Sequence, residues 1–269
     1  MANLDESTRE LRADVIRMIA MAGSGHPGGS LSIIDILAVL YSRRLRHDPK
    51  RPDWPDRDRV VLSKGHACPA LYAVLTHAGY FPPDWLATLR KLDSPLQGHP
   101  DRKRLPGLDA STGSLGQGLS IGLGMALAAK MDRRDFRVWV VAGDGELQEG
   151  QVWEAAMAAG KFKLDNLTLI ADLNGGQIDG PVSQVMPLEP LQKKFESFNW
   201  ETLSIDGHDL AAIDGALAAA QKAQERPQAI LAKTVKGKGV SFMEGNPAWH
   251  GRAPNREETE RALKEILNG

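Results

Sequence analysis

Apolar positions along this 269-residue chain follow two periods. Over residues 5–22, Leu11, Val15, Met18 and Ile19 recur at three- and four-residue steps, with Leu4 just ahead of them. This predicts an amphipathic helix ending at Gly23. The following GSGHPGGS reads as a Gly-rich loop, and a second helix is expected around residues 31–41 with Ser30 as its N-cap. RHDPKRPDWPDRDR is polar and broken by prolines, so it predicts a loop. VVLS is short enough for a buried strand, and GHACPALYAVLTHAG then reads as a helix ending at Gly79. Residues 79–110 are expected to be mostly loop, with one short helix near 84–90.

The second half is more regular. GSLGQGLSIGLGMALAAKM predicts a helix whose small residues suit close packing. FRVWVVAG is a β-rich run, a helix is expected at about 151–160, and NLTLIADLN reads as the next strand. A helix near 188–198, the strand WETLSI, a helix near 209–224 and the strand QAILAKTV follow. A final helix near 256–267 carries REETERALKE as a solvated face. Short apolar strands alternating with amphipathic helices argue for an α/β fold, a parallel sheet flanked by helices on both faces. No Gly/Ser- or Pro-rich linker separates two core-forming halves, so a single domain over 1–269 is expected. Ligands of such sheets sit beyond the carboxyl ends of the strands. The loops after VVLS, VWVVAG and LIADLN should therefore face one crevice.

Composition removes several function classes. Hydrophobic residues make up 42% and charged residues 25%, enough for a full core. With 33 Lys and Arg against 34 Asp and Glu, nothing favours nucleic acid or a membrane surface as partner. The single cysteine, Cys68, cannot form an internal disulfide, reads as structural, and suits a reducing, cytoplasmic setting. No apolar run reaches the ~18–20 residues of a membrane span. The first residues, MANLDESTRELRADVIRMIAMA, lack the features of a signal peptide.

The chemistry concentrates at VVAGDGELQEG. Asp144 stands between two glycines where a buried strand should stop, and Asn174 ends the next strand 30 residues later. That is the length of a strand-helix-strand crossover, which brings the two side chains to one sheet edge. A carboxylate, an amide oxygen and a backbone carbonyl are hard ligands suited to Mg2+ or Ca2+. Gly143 and Gly145 permit close backbone approach, and a helix starting near Glu146 would turn N–H groups toward a phosphate. Either residue alone would more often be a cap or a turn; the pair at crossover spacing favours the cation. Of seven histidines, four lie in Gly- or Pro-containing loops, GHPGG, KGHA, QGHP and WHG. Imidazoles there can exchange protons near neutral pH. His47, His77 and His208 lack such context and read as surface or packing residues.

GDGELQEGQVWEAAMAAGKFKLDNLTLIADLN resembles the thiamine diphosphate motif, in the version found in transketolases. SGHPGGSLS, LSKGHACPALYA, GHP, STGSLGQGLS, QIDG, KTVKGKGVSFME and AWHG are similar to that family too, in family order, over almost the whole chain. The resemblance implies that Asp144, Asn174 and the carbonyl of Gly176 bind the divalent cation, Mg2+ or Ca2+. It implies that the Gly145 N–H and His66 meet the diphosphate of thiamine diphosphate. Gly113, Ser114, Leu115, Gly143, Glu146, Ile178 and His250 would line the cofactor. His26, His99 and His250 would be catalytic, handling protons and sugar hydroxyls. Glu149 and Glu154 fall where the family places carboxylates at a subunit interface. Family members usually carry a bulky or β-branched residue where Gly176 stands, which would leave this loop freer.

The resemblance also exposes an absence. A full transketolase continues into a pyrimidine-binding domain, which supplies the glutamate that activates the cofactor, and a C-terminal domain. This chain ends at LKEILNG. It is therefore expected to be the N-terminal subunit of a split transketolase, active only with a partner carrying those domains, as an α2β2 heterotetramer. The implied reaction is transfer of a two-carbon ketol unit from a ketose or ketose phosphate to an aldose or aldose phosphate. A specialised two-component enzyme for an unusual sugar or a biosynthetic acyl coupling is the first alternative. A non-catalytic scaffold subunit is the second, and it predicts degraded ligands, whereas Asp144 and Asn174 are intact.

Overall fold

The computed structural model describes residues 4–268. The first half contributes helices α1 (Leu4–Ala22), α2 (Pro27–Leu31) and α3 (Ile34–Val39), strand β1 (Arg59–Leu62) and helix α4 (Cys68–His77). Helix α5 (Gln117–Met131), strand β2 (Val138–Gly143), helix α6 (Gly150–Lys161) and strand β3 (Leu167–Leu173) come next. A small antiparallel hairpin, β4 (Gly176–Gln177) and β5 (Gly180–Pro181), precedes α7 (Val182–Val185) and α8 (Leu191–Ser197). Strand β6 (Glu201–Asp206), helix α9 (Leu210–Lys222), strand β7 (Gln228–Lys233) and helix α10 (Arg256–Asn268) complete the order.

Among the described residues, β1-β2-β3-β7-β6 form one parallel sheet in that order. The β-strand period of two sends alternate side chains into two apolar layers. Trp139, Val141, Ile170, Ile230 and Ala232 face a layer built with α1, α3, α4, α9 and α10. Val138, Val140, Leu167, Leu169, Ala171, Ala229 and Leu231 face a second layer built with α5, α6 and α8. Each fully buried aliphatic side chain contributes about 1.5–3 kcal/mol. Both faces are covered, which is why the strands read as unbroken apolar runs. The doubly covered α/β sheet expected from the sequence is the one found. Among the described residues no helix is long and apolar enough to cross a membrane.

Several local expectations need correction. Ser30 is not an N-cap: α2 already starts at Pro27, with His26 at the capping position, and Ser30 is buried inside the turn, its hydroxyl donating to the His26 carbonyl at 2.7 Å. Proline at the first helical position costs no hydrogen bond. The glycines that suggested a loop serve close packing instead, since a Cβ on Gly28 would lie 2.9 Å from the Trp249 carbonyl. The expected single helix over 31–41 breaks after Leu31 and resumes as α3, then widens into a π-helical turn at Leu40–Arg44. The short helix near 84–90 is 3-10, over Pro83–Thr88. The helix expected near 188 begins only after Pro190.

The glycines of α5 do what close packing requires. A Cβ on Gly122 would lie 2.4 Å from Val140 Cγ2, while Gly124 has nothing within 4 Å. We predict that Gly122→Ala lowers stability by ~1–3 kcal/mol through overpacking. Gly124→Ala should raise it by about 0.5–1 kcal/mol through helix propensity. Urea unfolding of the two variants measures both, and equal effects would contradict this packing.

Candidate functional site

The carboxyl ends of β1, β2, β3 and β7 open into a cleft of about 390 Å3. Its floor is set by register. Gly143 of β2 lies opposite Asp172 of β3, so Asp144 and Asn174 follow side by side, as the crossover spacing predicted. The Asp144 carboxylate accepts from the N–H of Gly175 at 2.6 Å and from that of Gly145 at 2.9 Å. Asn174 Oδ1 accepts from the Gly176 N–H at 3.1 Å. The Gly176 carbonyl accepts from the Lys236 ammonium at 3.0 Å. Among the described residues no group of three or more His, Cys, Asp or Glu side chains could hold a metal ion. Asp144, the Asn174 amide and the Gly176 carbonyl line the same cleft and together present a hard-oxygen set.

Beneath that rim lies a carboxylate that sequence reading missed. Asp172 is fully buried and paired with Lys64, the second residue past β1. It also accepts from Ser32 Oγ at 2.7 Å, from Asn174 Nδ2 at 2.8 Å and from Thr234 Oγ1. Burial alone would raise its pKa, but Lys64 and these donors hold it below the usual carboxylate range. For Asp144 the balance goes the other way: burial, then the Asp172 charge, outweigh the Gly175 and Gly145 N–H groups and Lys64 and raise it to about 6. The rim thus carries a negative charge in want of a cation.

The opposite wall is imidazole. His26, His66 and His250 form a triangle with ring centroids 5.1, 5.4 and 5.2 Å apart. Burial pushes His26 and His250 down to about 4, helped by Arg90 at the first and Lys236 at the second. Burial, then Lys64, pushes His66 down to about 2. Burial and Arg90 lower His99 as well, and its ring packs 3.2 Å from where a Cβ on Gly113 would stand. The imidazoles are therefore neutral at pH 7. Lys236 Nζ donates to His250 Nδ1 at 2.9 Å, and an ammonium can only donate, so Nε2 of His250 carries the hydrogen. Lys236 is itself lowered to about 8 by burial and by the Lys64 charge. Arg90 donates to Ser24 Oγ at 2.8 Å and approaches His26 Nδ1 at 3.5 Å. Neutral proton acceptors beside fixed cations suit an anionic, hydroxyl-bearing ligand.

Most expected site residues converge on this cleft: His26, His66, His99, His250, Gly113, Leu115, Gly143, Asp144, Gly145, Glu146, Glu149, Asn174, Gly176 and Ile178 all line it. Ser114 does not, and stands exposed outside the lining. Two of these residues also have partners within the chain. The Gly145 N–H is taken up by Asp144, and the turn over Gly145–Gln148 is a single 3-10 turn rather than a helix start. Glu146 is buried and spends its carboxylate on the N–H groups of Gly116 and Gly143 and on Ser63, so it braces the walls. Gly176 is also tighter than a freed loop suggests, because a Cβ there would meet Lys236 Cδ at 3.2 Å. Lys64 and Lys236 sat unread inside LSKGH and KTVKGKG, and Asp172 was visible only as a charge within an apolar strand. Away from the cleft, Cys68 is buried and raised to about 12 by that burial, an inert thiol donating to the Gly98 carbonyl. Glu154 lies exposed on α6.

The chain belongs to the transketolase family: the model of the domain described as "Transketolase, thiamine diphosphate binding domain" matches residues 4–268. It is 47% identical over 264 residues to the 6-deoxy-6-sulfo-D-fructose transketolase subunit SqwG of a Clostridium species, covering 98% of this chain and 96% of that one. It is 40% identical to an apulose-4-phosphate transketolase subunit of Actinobacillus succinogenes, covering 98% and 95%. The transketolase of Campylobacter jejuni superimposes with a TM-score of 0.93 at 39% identity. That match covers 99% of this chain but 43% of the other, so the chain spans less than half of that protein.

The raised pKa of Asp144 has a pH signature. A carboxyl higher when folded than unfolded destabilises the fold above its folded pKa, and the penalty vanishes below its unfolded one. Relative to Asp144→Asn, the wild-type chain free of cation should lose about 2–3 kcal/mol between pH 4 and pH 7. Thermal unfolding of both proteins across that range measures the difference. A difference independent of pH would contradict the site's electrostatics.

Proposed function

We propose that this chain is the cofactor-anchoring subunit of a two-component transketolase. The observation that carries the reading is the cleft itself, where Asp144, Asn174 and Gly176 present oxygen donors on one rim and four histidines stand across from them. The raised Asp144 carboxyl, and an ammonium already resting on the Gly176 carbonyl, support a fit to a divalent cation. Asp144, Asn174 and the Gly176 carbonyl would hold Mg2+ or Ca2+, and His66 would stand beside the diphosphate of thiamine diphosphate. When bound, thiamine diphosphate supplies a carbanion able to cleave and re-form the C–C bond next to a ketose carbonyl.

The chain's own residues perform the rest. Asp144, Asn174 and Gly176 fix the charged end of the cofactor. His26 stays neutral beside Arg90, so it can take a proton from a sugar hydroxyl and return it, while His250, its Nδ1 held by Lys236, offers its Nε2–H to a sugar oxygen. His99, the more exposed of the four, is the one best placed to meet an incoming sugar. Gly113, Leu115 and Ile178 would line the bound cofactor, and the exposed Ile178 leaves apolar surface for it or for a partner to cover. Both relatives named as subunits act, by their names, on sugars bearing a sulfonate or a phosphate, which supports a donor or acceptor with an anionic end. This favours the specialised, unusual-sugar version of the reading over general carbohydrate metabolism.

A second chain would bring the pyrimidine-binding domain and the activating glutamate. Exposed Met157 and Phe162 around α6, with exposed Glu149 and Glu154, support an assembly that buries this face, an α2β2 heterotetramer. Mixing the purified chain with such a partner should yield ketol transfer that neither chain gives alone. Robust transfer by this chain in isolation would sink the two-component reading. In the assembled enzyme His99→Ala should lower kcat by about 100-fold or more, as loss of a proton-handling group does. Cofactor affinity should stay within about threefold, since His99 does not touch the charged rim. Titration calorimetry and steady-state kinetics separate the two, and the reverse pattern would show His99 to be misplaced.

A further inference from the structure

His208 lies in the turn after β6, outside the cleft, with no evident reason for its chemistry. Its surroundings supply one. Where β7 ends, Thr234 N–H donates to the Leu173 carbonyl, and Gly237 N–H donates to that of Gly28. Between them, the Val235 N–H has no carbonyl to meet and donates to His208 Nε2 at 2.8 Å. A backbone amide only donates, so Nε2 must accept and Nδ1 must carry the hydrogen. Nδ1 lies 2.7 Å from Asp35 Oδ2, the acceptor this tautomer needs. Asp35 is buried and held in turn by Arg12. The chain of contacts runs from α1 through α3 and the β6 turn to one peptide of the loop after β7. The next residue is Lys236, whose ammonium reaches both Gly176 and His250.

We infer that His208 is a positioning residue for the cofactor site: set in one tautomer by Asp35, it holds the Val235 peptide and so places Lys236 against Gly176 and His250. A half-buried N–H left without an acceptor loosens its segment, and a lysine on a loosened loop no longer presents one charge at one point. The loop anchoring stands on geometry alone, whereas its consequence for the cofactor rests on the function proposed above.

Two isosteres divide the imidazole's two tasks. His208→Gln sets an amide oxygen near the place of Nε2 and keeps an acceptor for Val235. His208→Asn keeps a donor for Asp35 at the place of Nδ1 and leaves the Val235 N–H unpaired. Amide hydrogen exchange over residues 233–240 in the full chain should speed up about tenfold in the Asn variant, the scale of one hydrogen bond lost from a half-buried donor. In the assembled enzyme with Mg2+, the Asn variant's affinity for thiamine diphosphate should fall by about tenfold for the same reason. Its kcat at saturating cofactor should fall by less than its affinity does, because ordering the loop is part of binding. The Gln variant should restore both exchange and affinity. Unchanged exchange in the Asn variant, or equal losses in both variants, overturns the inference. Normal cofactor affinity in the Asn variant overturns it even if exchange responds. A wild-type assembly that binds no thiamine diphosphate would instead overturn the reading of the site itself.

Discussion

The buried Lys64–Asp172 pair organises the cleft. Asp172 receives Lys64 from the end of β1, Ser32 from the end of α2, Thr234 from the end of β7 and Asn174 from the end of its own strand. Four segments far apart in sequence thus share one carboxylate. A buried ion pair is weak evidence of net stability, since desolvation offsets much of the attraction. Removing one partner, however, leaves an uncompensated charge and costs about 3–5 kcal/mol. The pair therefore acts as a locator, fixing where the strand ends stand relative to one another, and the groups that would touch a ligand are mounted on those ends.

With Asp172 satisfied, its neighbour bears the cost. Asp144 is buried beside a second carboxylate and has only two backbone N–H groups for company. Such a residue weakens the empty protein, and it persists in sites that need charge in place before the ligand arrives. The histidines show the complementary device. Burial first, and then Lys64, Arg90 and Lys236 nearby, keep them neutral, so the wall opposite the rim offers hydrogen-bonding imidazoles without adding mobile charge.

Much of this was legible in the sequence, for physical reasons. Strand type and sheet coverage were readable because burial on two faces produces runs such as VWVVA and LTLIA. Asp144 and Asn174 were readable as a pair because parallel crossovers have a characteristic length. The start of α2 was not, because a Gly-Gly pair looks like a loop unless the packing that demands it is known. Lys64, Asp172 and Lys236 were missed for a related reason: their meaning lies in contacts between residues 64, 172 and 236, and no local pattern encodes such a contact. Ser114 stands apart from its neighbours, since Gly113 and Leu115 line the cleft while its own position is exposed.

The central claim is that the Asp144 rim is a cation site that anchors a diphosphate. The most direct test is titration of thiamine diphosphate into the assembled enzyme, with Mg2+ and with chelator, for wild type and Asp144→Ala. Tight binding should require the cation, and the alanine variant should lose affinity on the order of 100-fold with Mg2+ present. Equal affinity in chelator, or an alanine variant that binds like wild type, would contradict the account.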